Sequence, residues 1–475
     1  MNICLLNDSF PPVIDGVANV VVNYAGHLRD EHGARVIVGT PGYPGAAYDD
    51  YPYPVVPYRS FAIHAAAGGY RAGDPFEERS VAALRAFEPD IIHSHCPAAS
   101  NIMARLLRET TGAPVVFTYH TKYDIDINRA VKLKPVAQEG IRAMVAGIEP
   151  CDEVWVVSRG AGENLRSLGF RGSYRVMANG VDFARGRAAG DAVAKATAGY
   201  DLPEGVPVYL YVGRLITYKG LPLLLDALKL LKDGGHAFRM IFVGKGPDRE
   251  LLEEKAADLG LMEGDAKCVF TGAIYDREEL RAWNTRADLF LFPSTFDTNG
   301  LVVREAAACG LASVLIRGSC AAEDVVDGRN GFLIDESAEA MAALLSSLTG
   351  RKDAVRAVGR RAMEELYLSW SDSVAAAYDR YQAILEEKRR GLLPEKKRDL
   401  LITAAARRFD GPDRLRELGR RQLVDLRKTA QGVRDDLTGA AAGMMENISS
   451  AGENAERLWE ELAESFRQAL DIFRR

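Results

Sequence analysis

The chain has 475 residues, of which 47% are hydrophobic and 27% charged, a composition typical of a soluble globular protein with at least two domains. The formal net charge of −6 argues against nucleic acid as a partner, and no stretch approaches 18 consecutive apolar residues, so no membrane-spanning helix is expected. The six cysteines are scattered without a C-x-x-C pair, and the first residues show no signal-peptide pattern, so we expect buried, reduced thiols in a cytoplasmic protein.

The first part of the chain alternates between apolar runs and helical patterns. A short strand is predicted at residues 3–6, and Gly16 then precedes a helical segment at 17–29. Gly16 either relieves a tight turn or lets a ligand approach the backbone closely. The segment lacks a G-x-G-x-x-G fingerprint, so a nicotinamide cofactor is not expected. Further strands are predicted at residues 35–39, 90–95, 114–120, 153–158 and 174–177.

This alternation predicts a parallel sheet covered by helices on both faces. Ligands of such sheets bind outside the carboxyl ends of the strands. Three of the predicted strands lead to Ser9, His95 and His120, so polar side chains are expected to gather at one edge of the sheet.

A change in composition near residue 182 predicts a second domain. Residues 182–207 are rich in Ala, Gly and charge and lack apolar periodicity, so we place a linker at 186–205 between domains at 1–185 and 206–370. The second domain repeats the doubly wound pattern, and a cleft between two such domains is a preferred small-molecule site. Its strands are predicted at residues 208–214, 238–243, 267–272, 289–292 and 312–316.

The end of the chain is predicted to be helical. An amphipathic helix at residues 371–392 is expected to return to the first domain, and a helical tail follows at 395–475. The tail is net basic up to residue 434 and net acidic beyond it. Three interpretations stay open: an antiparallel helical pair, a basic half lying on an anionic membrane, or a solvated appendage.

Residues 293–310, P-S-T-F-D-T-N-G-L-V-V-R-E-A-A-A-C-G, carry the strongest functional pattern. They follow an apolar strand and contain a turn at 299–301 before a helical segment, so free backbone N–H groups are expected to form an anion site there. Asp297 and Glu305 flank this turn. An anion site between two carboxylates suggests a ligand with phosphate and hydroxyl groups, such as a sugar nucleotide, although an ordinary polar surface loop is the alternative.

Arg214 and Lys219 strengthen the functional interpretation. They lie five positions apart across a predicted strand end, a loop and a helix start. Two cations beside helix N-terminal amides favour a diphosphate ligand.

A series of further motifs occurs in order along residues 1 to about 390. They are F-P-P-V-I-D-G-V at 10–17, D-I-I-H-S-H at 90–95, F-T-Y-H-T at 117–121, V-S at 157–158, N-G-V-D at 179–182, Y-V-G-R-L with a following K-G at 211–220, I-F-V-G-K-G-P at 241–247, F-T-G at 270–272, and 293–310. With these motifs the chain resembles the retaining GT-B glycosyltransferases, a family that includes bacterial lipid glucosyl- and mannosyltransferases. The resemblance implies two Rossmann-like domains with an interdomain cleft, an acceptor domain at the N-terminus, a donor-binding domain after it, and no metal or other cofactor.

The resemblance also implies residue roles. Arg214 and Lys219 would hold the donor diphosphate, Glu305 the ribose, and residues 272–274 the base, while His120 would lie by the reacting sugar. Gly16 would let the diphosphate approach the first domain. The implied catalytic residues are His120, Asp297, Arg214 and Lys219, and the implied donor-binding residues are Gly16, Arg214, Lys219, Gly244, Gly272, Ala273, Ile274, Asp297, Asn299, Gly300, Leu301 and Glu305.

Asp297 departs from the family pattern, because relatives usually have glutamate there. The form D-T-N-G is similar to the diacylglycerol glucosyltransferase branch, which implies transfer of glucose from UDP-glucose to diacylglycerol at the inner face of the plasma membrane. A soluble or phosphoinositol acceptor, with another donor such as one of mannose, and a non-catalytic sugar-nucleotide-binding scaffold are the alternatives. The implied acceptor or membrane residues are Tyr123, Asp124, Arg129, Lys132 and Lys134, for which a solvated surface is the other interpretation.

Overall fold

The computed structural model describes residues 1–13, 15–62, 70–130, 133–394, 400–407 and 409, apart from a few side chains within these ranges. The described residues belong to one compact unit, Met1–Phe409. The predicted tail therefore lies outside the described residues except for its first helix.

The first sheet has seven parallel strands in the order β3-β2-β1-β6-β7-β8-β9. The central strand β1 is buried and pairs on both sides, with Ile3 opposite Val36 in β2 and Ile91 in β6. A two-stranded antiparallel ribbon, β4-β5, lies outside this sheet. The strands are β1 Asn2–Leu6, β2 Arg35–Pro41, β3 Val55–Tyr58, β4 Ser60–Ala62, β5 Arg71–Gly73, β6 Ile91–Ser94, β7 Val115–Tyr119, β8 Glu153–Val156 and β9 Arg175–Val176.

Helices connect these strands and cover both faces of the sheet with apolar side chains. Local sequence sets where they begin: the Asp15 carboxylate accepts from the Ala18 N–H at 2.6 Å, and the Ser158 hydroxyl accepts from the Ala161 N–H at 3.1 Å. The helices are α1 Gly16–Asp30, α2 Glu78–Ala86, α3 Ala99–Thr111, α4 Tyr123–Ala130, α5 Lys134–Ile148 and α6 Arg159–Ser167.

The second sheet has six parallel strands in the order β12-β11-β10-β13-β14-β15, and its helices enclose a separate hydrophobic core. Its strands are β10 Val208–Val212, β11 Phe238–Val243, β12 Ala266–Gly272, β13 Leu289–Phe292, β14 Ser313–Ile316 and β15 Phe332–Ile334. Its helices are α7 Gly190–Ala196, α8 Leu221–Asp233, α9 Arg249–Asp258, α10 Arg277–Arg286, α11 Leu301–Ala308, α12 Ala338–Leu348 and α13 Lys352–Glu365. Short 3-10 turns occur at Tyr48–Asp50, Thr217–Lys219 and Cys320–Ala322.

The two doubly wound sheets confirm the predicted α/β fold class. The sequence analysis missed β3, β4, β5 and β15, which have three or four residues each, and it missed α7 inside the predicted linker. Such short strands carry too few residues for a periodic pattern, and Pro57 in β3 is typical of an edge strand rather than of a strand interior. The division into domains at residues 185 and 206 stays a prediction.

The chain crosses between the two sheets twice, and the two crossings touch. The Val181 N–H donates to the Leu368 carbonyl at 3.0 Å. Gly180 lies against the second crossing so closely that a Cβ atom would stand 2.4 Å from the Trp370 nitrogen, so only glycine fits there. After the second crossing, α14 (Trp370–Arg389) packs against α1, and its buried Tyr381 stacks on Trp155 of the first sheet.

The first tail helix, α15 (Leu400–Ala406), also belongs to the first sheet. It packs on α3 with Ile402, Ala405 and Ala406 buried. The Arg85 guanidinium donates to the Phe409 carbonyl at 2.5 Å just beyond the helix. None of the described helices combines the length and apolar character needed to cross a membrane.

Candidate active site

The carboxyl ends of strands from the two sheets meet in a network of hydrogen bonds. The Thr298 hydroxyl, in the loop after β13, donates to the His120 carbonyl after β7 at 2.6 Å. The Thr298 carbonyl accepts from the Ser158 hydroxyl after β8 at 2.5 Å, and Lys122 donates to the Thr295 carbonyl at 3.3 Å. The loop that the sequence singled out at residues 293–310 therefore lies against the predicted catalytic histidine segment.

His120 combines a paired and an unpaired ring nitrogen. Its Nε2 atom lies 3.0 Å from Nδ1 of His95, so one of the two rings donates to the other. Its Nδ1 atom is buried and has no hydrogen-bond partner among the described residues. Burial lowers the pKa of His120 to about 3, so the imidazole is neutral at physiological pH. A neutral ring with one unused nitrogen suits a hydrogen bond to a ligand hydroxyl.

His93, in contrast to His120, has a structural role. Its Nδ1 atom lies 2.5 Å from the Tyr381 hydroxyl and its Nε2 atom 2.6 Å from the Thr118 hydroxyl. Both ring nitrogens are thus occupied within the protein. Among the described residues, no group of three or more His, Cys, Asp or Glu side chains is placed to hold a metal ion.

Lys219 and Asp297 form an ion pair. The Lys219 ammonium, at the end of the turn Thr217–Lys219, lies 2.8 Å from the Asp297 carboxylate, and both side chains are largely buried. The Ser294 hydroxyl donates to the other Asp297 oxygen at 2.5 Å. The sequence analysis named both residues as donor-binding but did not predict this contact between them.

Arg214 is available to a ligand. Its side chain is exposed, and its guanidinium has no hydrogen-bond or ion-pair partner within the described part of the chain. Its carbonyl accepts from the Tyr211 hydroxyl at 3.1 Å, which fixes the backbone of the loop. Gly244, predicted to bind the donor, lies beside this loop, and a Cβ atom there would meet the Gly213 carbonyl at 1.9 Å. Packing between the loops after β10 and β11 therefore explains this glycine by itself.

The start of α11 has the features of an anion site. Gly300 has φ +58° and provides no side-chain cap, and a Cβ atom there would lie 2.8 Å from that of Ala321. The N–H groups of Asn299, Gly300 and Leu301 have no acceptor among the described residues. The Asn299 side-chain nitrogen is buried and likewise has no partner. Unpaired donors at a helix N-terminus attract phosphate.

Glu305 has a partner that the sequence analysis missed. Its carboxylate lies 2.5 Å from the guanidinium of Arg277, the first residue of α10, and its side chain is only 12% exposed. Arg277 also lies 3.5 Å from Asp182 and 4.5 Å from the ring centre of Phe183, both at the first crossing between the sheets. Burial raises the pKa of Glu305, and Arg277 acts in the opposite direction. The segment from Gly272 (φ +84°) leads directly into α10.

The half-buried Ala273 and Ile274 lie in that segment. Gly16 begins α1, and no other described residue beyond its chain neighbours and its own helix backbone has a heavy atom within 4 Å of a Cβ position there. This space is compatible with the predicted approach of a ligand to its backbone.

The predicted acceptor residues are only partly described. Tyr123 begins α4 and hydrogen-bonds with Cys96, while Asp124 accepts from the Asn164 side chain at 3.3 Å. Lys134 is exposed at the start of α5. The Arg129 side chain and Lys132 lie outside the described residues.

Asp8, also missed by the sequence analysis, lies beside this region. It accepts from both the N–H and the hydroxyl of Ser100 at 3.0 Å and from the Tyr58 hydroxyl at 3.2 Å. Burial raises the pKa of Asp8, while hydrogen bonds led by that from Cys96 act against the rise. Through Cys96, the Asp8 cluster is connected to Tyr123.

Glu323 forms a second contact between the two sheets, also absent from the sequence analysis. Its carboxylate accepts from the N–H groups of Arg159, at 2.7 Å, and of Gly160, the first two residues of α6. A Cβ atom on Gly160 would lie 2.5 Å from the Cys320 sulfur. A carboxylate from one sheet thus satisfies a helix N-terminus of the other.

Two family models match consecutive parts of the chain. The model described as Glycosyltransferase Family 4 matches residues 14–185, and the model described as Glycosyl transferases group 1 matches residues 194–364. The matches together span well over half of the chain.

Characterised proteins are similar over most of the same region. Sulfoquinovosyl transferase SQD2 of Arabidopsis thaliana is 28% identical over 74% of this chain and 67% of its own length. A GDP-mannose-dependent alpha-mannosyltransferase of Corynebacterium glutamicum is 27% identical over 70% of this chain and 77% of its own. Alpha-monoglucosyldiacylglycerol synthase of Streptococcus pneumoniae is 23% identical over 65% of this chain and 70% of its own.

Solved structures share the fold. Sucrose-phosphate synthase from Thermosynechococcus elongatus aligns with a TM-score of 0.65 at 21% identity, covering 81% of this chain and 99% of that chain. The Anabaena protein HepE in complex with UDP aligns with a TM-score of 0.64 at 19% identity, covering 81% of this chain and 100% of that chain.

Proposed function

The chain belongs to the group 1 glycosyltransferases of the GT-B fold, and from that membership we propose that it transfers glucose from UDP-glucose to a lipid such as diacylglycerol, with retention at the anomeric carbon. The observation that carries the proposal is a set of hydrogen-bonding groups at the meeting point of the two sheets that have no partner among the described residues. These are the Arg214 guanidinium, the N–H groups of residues 299–301 and Nδ1 of His120.

The diphosphate of the donor is the leaving group in this reaction. Arg214 and the N-terminus of α11 stabilise the charge that develops on it, because both present donors that the protein does not use itself. Lys219 contributes once the diphosphate competes with Asp297, which lies 2.8 Å away. Asp297 holds the ammonium in position.

Glu305 is proposed to bind the ribose. Its largely buried carboxylate accepts from Arg277 through one oxygen at 2.5 Å, and no other donor to it is found among the described residues. The remaining lone pairs suit the two ribose hydroxyls. Gly272, Ala273 and Ile274 precede Arg277, so the backbone that is proposed to read the base lies next to the ribose ligand.

The transfer is proposed to take place on one face of the sugar. The bond from the anomeric carbon to the diphosphate oxygen breaks, the acceptor hydroxyl oxygen bonds to the same carbon, and its proton passes to the departing phosphate. The Nδ1 atom of His120 is proposed to bind a hydroxyl of the donor sugar and so to orient it. A carboxylate found within bonding reach of the opposite face in a donor-analogue complex would contradict this mechanism.

A lipid acceptor is supported by the names of relatives. The alpha-monoglucosyldiacylglycerol synthase, at 23% identity, is named for a glycolipid product. Tyr123, Asp124, Arg129, Lys132 and Lys134 are proposed to face the acceptor or the membrane, at the inner face of the plasma membrane. The second candidate is mannosyl transfer from GDP-mannose to a soluble or phosphoinositol acceptor, favoured by the similarity of the mannosyltransferase at 27% identity.

A donor and acceptor panel tests the proposal. Purified protein is incubated with radiolabelled UDP-glucose or GDP-mannose and either total lipid extract or soluble acceptors, and the products are separated by chromatography. We expect label from UDP-glucose in the lipid fraction, and loss of more than 100-fold of this activity, roughly 3 kcal/mol of transition-state stabilisation, in Glu305→Ala and His120→Ala.

Transfer from GDP-mannose alone would contradict the assigned donor, and label found only in soluble products would contradict the lipid acceptor. Wild-type turnover in both variants would show that the assigned site is wrong. Flotation with anionic vesicles provides an independent measurement, since a protein with a lipid acceptor is expected to rise with them.

A further inference from the structure

A cavity of about 410 Å³ lies on the side of the second sheet opposite the proposed donor site. It is lined by residues that come just before β13 and β14, including Asp288 and Leu311, together with parts of the segment before α7 and the start of α13. The donor site lies after those strands. Because β13 separates Asp288 from Pro293, the two sites are roughly 16 Å apart at 3.3 Å per residue.

The cavity carries more positive charge than its own residues neutralise. Among the described residues, four cations line it, Arg187, Arg286, Lys352 and Arg356, against one carboxylate, that of Asp288. Asp288 lies 3.2 Å from Lys352 and 4.0 Å from Arg286. Arg356 has no ion-pair or hydrogen-bond partner in the described ranges of the chain.

Arg187 and Arg356 also repel each other. Burial lowers the pKa of Arg187, and the charge of Arg356 lowers it further. Arg187 donates to the carbonyl of Thr285, so its position is fixed rather than free to turn away. Arg356 is exposed, so solvent screens part of this repulsion, and an anion that binds between the two cations removes the rest.

The start of α13 adds to this imbalance. The helix has 14 residues and begins without a side-chain cap at Arg351. Lys352 and Arg356 occupy its first two turns, whereas Asp353, the acidic residue of the first turn, does not line the cavity. Cations are unfavourable at a helix N-terminus, where the macrodipole is positive, and an anion is favourable. The cavity, the excess of cations and the uncapped helix therefore all favour an anionic ligand.

We propose that this cavity, which we call the basic cavity, is a second anion site that binds a phosphate-bearing ligand. Guanidinium groups from Arg187 and Arg356 recognise the phosphate oxygens in pairs, and Lys352 contributes a point charge. The volume of about 410 Å³ suits a small phosphorylated metabolite or the phosphate headgroup of a lipid. The site does not depend on the proposed transferase reaction, because none of its residues belongs to the donor site.

Calorimetric titration with inorganic pyrophosphate tests the site. Lys219→Ala serves as the background, since pyrophosphate is also expected to bind the donor site. We expect Lys219→Ala/Arg356→Gln to bind pyrophosphate at least tenfold more weakly than Lys219→Ala. The matched control Lys219→Ala/Arg360→Gln removes an exposed cation one turn further along α13 that does not line the cavity, and its affinity is expected to stay within twofold.

The source of the phosphate is distinguished by a second measurement. Flotation with phosphatidylcholine vesicles containing phosphatidic acid is compared for wild type, Arg356→Gln and Arg360→Gln. Loss of flotation in Arg356→Gln alone identifies a lipid headgroup, whereas loss of pyrophosphate binding with unchanged flotation identifies a soluble ligand. Unchanged pyrophosphate binding together with unchanged flotation would overturn the proposal.

Thermal unfolding separates loss of the site from loss of the fold. Because Arg356 and Arg187 repel each other, Arg356→Gln is expected to melt at or above the wild-type temperature in the absence of phosphate. Its transferase turnover is expected to equal that of wild type. A lower melting temperature would show that Arg356 serves packing and would also contradict the proposal.

Discussion

Replacing Arg277 by methionine is expected to weaken donor binding through Glu305. The 2.5 Å contact joins a carboxylate that is 12% exposed to a guanidinium that is 42% exposed. A hydrogen bond between charged groups contributes about 1.5–3 kcal/mol, and the exposure of Arg277 reduces this to about 1–2 kcal/mol. If the same interaction keeps Glu305 ionised and oriented for the ribose, the KM for the donor should rise roughly five- to thirtyfold with little change in kcat.

The pH dependence of the donor KM provides a second test of the role of Arg277. Burial raises the pKa of Glu305 and Arg277 opposes the rise, so the pKa is higher still without the guanidinium. Asp182, the other charged group near this carboxylate, also raises the pKa. The donor KM of Arg277→Met should therefore increase as the pH falls toward the ordinary range of a glutamate, and it should do so at a higher pH than in wild type.

A double-mutant cycle refutes or supports the mechanism. Steady-state kinetics are measured for Arg277→Met, Glu305→Gln and the double variant, with Arg277→Lys as the variant that keeps the charge. If Arg277 acts through Glu305, adding Arg277→Met to Glu305→Gln should change the donor KM by less than twofold. Full additivity of the two effects would refute the reasoning, and so would an unchanged pH profile in Arg277→Met.

Three further predictions concern the fold and the contact between the sheets. Burial lowers the pKa of His120 to about 3, so the unfolded state binds a proton first as the pH falls below 6.5, and the folded state loses stability. Between pH 6.5 and 5 this lowers the unfolding free energy of wild type by about 1–2 kcal/mol. The melting temperature of His120→Gln should therefore depend less on pH in this range than that of wild type. Glu323→Gln removes the carboxylate from the start of α6, an effect of about 1 kcal/mol, and should increase the radius of gyration measured by X-ray scattering, whereas Glu278→Gln, whose partner Arg281 lies on the same helix α10, should not; equal radii for wild type and Glu323→Gln would contradict the contact. Gly244→Ala places a Cβ atom 1.9 Å from a carbonyl oxygen and should lower the unfolding free energy by more than about 2 kcal/mol in denaturant titration, whereas Gly26→Ala, with open space inside α1, should leave it unchanged or raise it.

The strand ends were predictable from the sequence because each follows a continuous apolar run. Parallel strands align their carboxyl ends at one edge, so locating the strands also located His95, His120 and Arg214 relative to each sheet. The sequence analysis missed strands of three or four residues because they bury too few side chains to form a pattern. The structure thus confirms the fold class that rested on the longer strands and adds the short ones.

The partners of the predicted residues could not be predicted in the same way. Lys219 pairs with Asp297, which is 78 positions away, and Glu305 pairs with Arg277, which is 28 positions away. Such pairs depend on how two loops are placed after separate strands, and periodicity within one element carries no information about that placement. Glu323 is the extreme case, since its partners at residues 159 and 160 belong to the other sheet.

The adjacency of the two chain crossings constrains how the sheets can move. Because Val181 is hydrogen-bonded to Leu368 and Gly180 leaves no space beside Trp370, the two connections cannot slide past each other independently. Relative motion of the two sheets is therefore expected to pivot about this point rather than to be a translation. A spectroscopic distance between the sheets, for example across the Arg159–Glu323 contact, would report this motion.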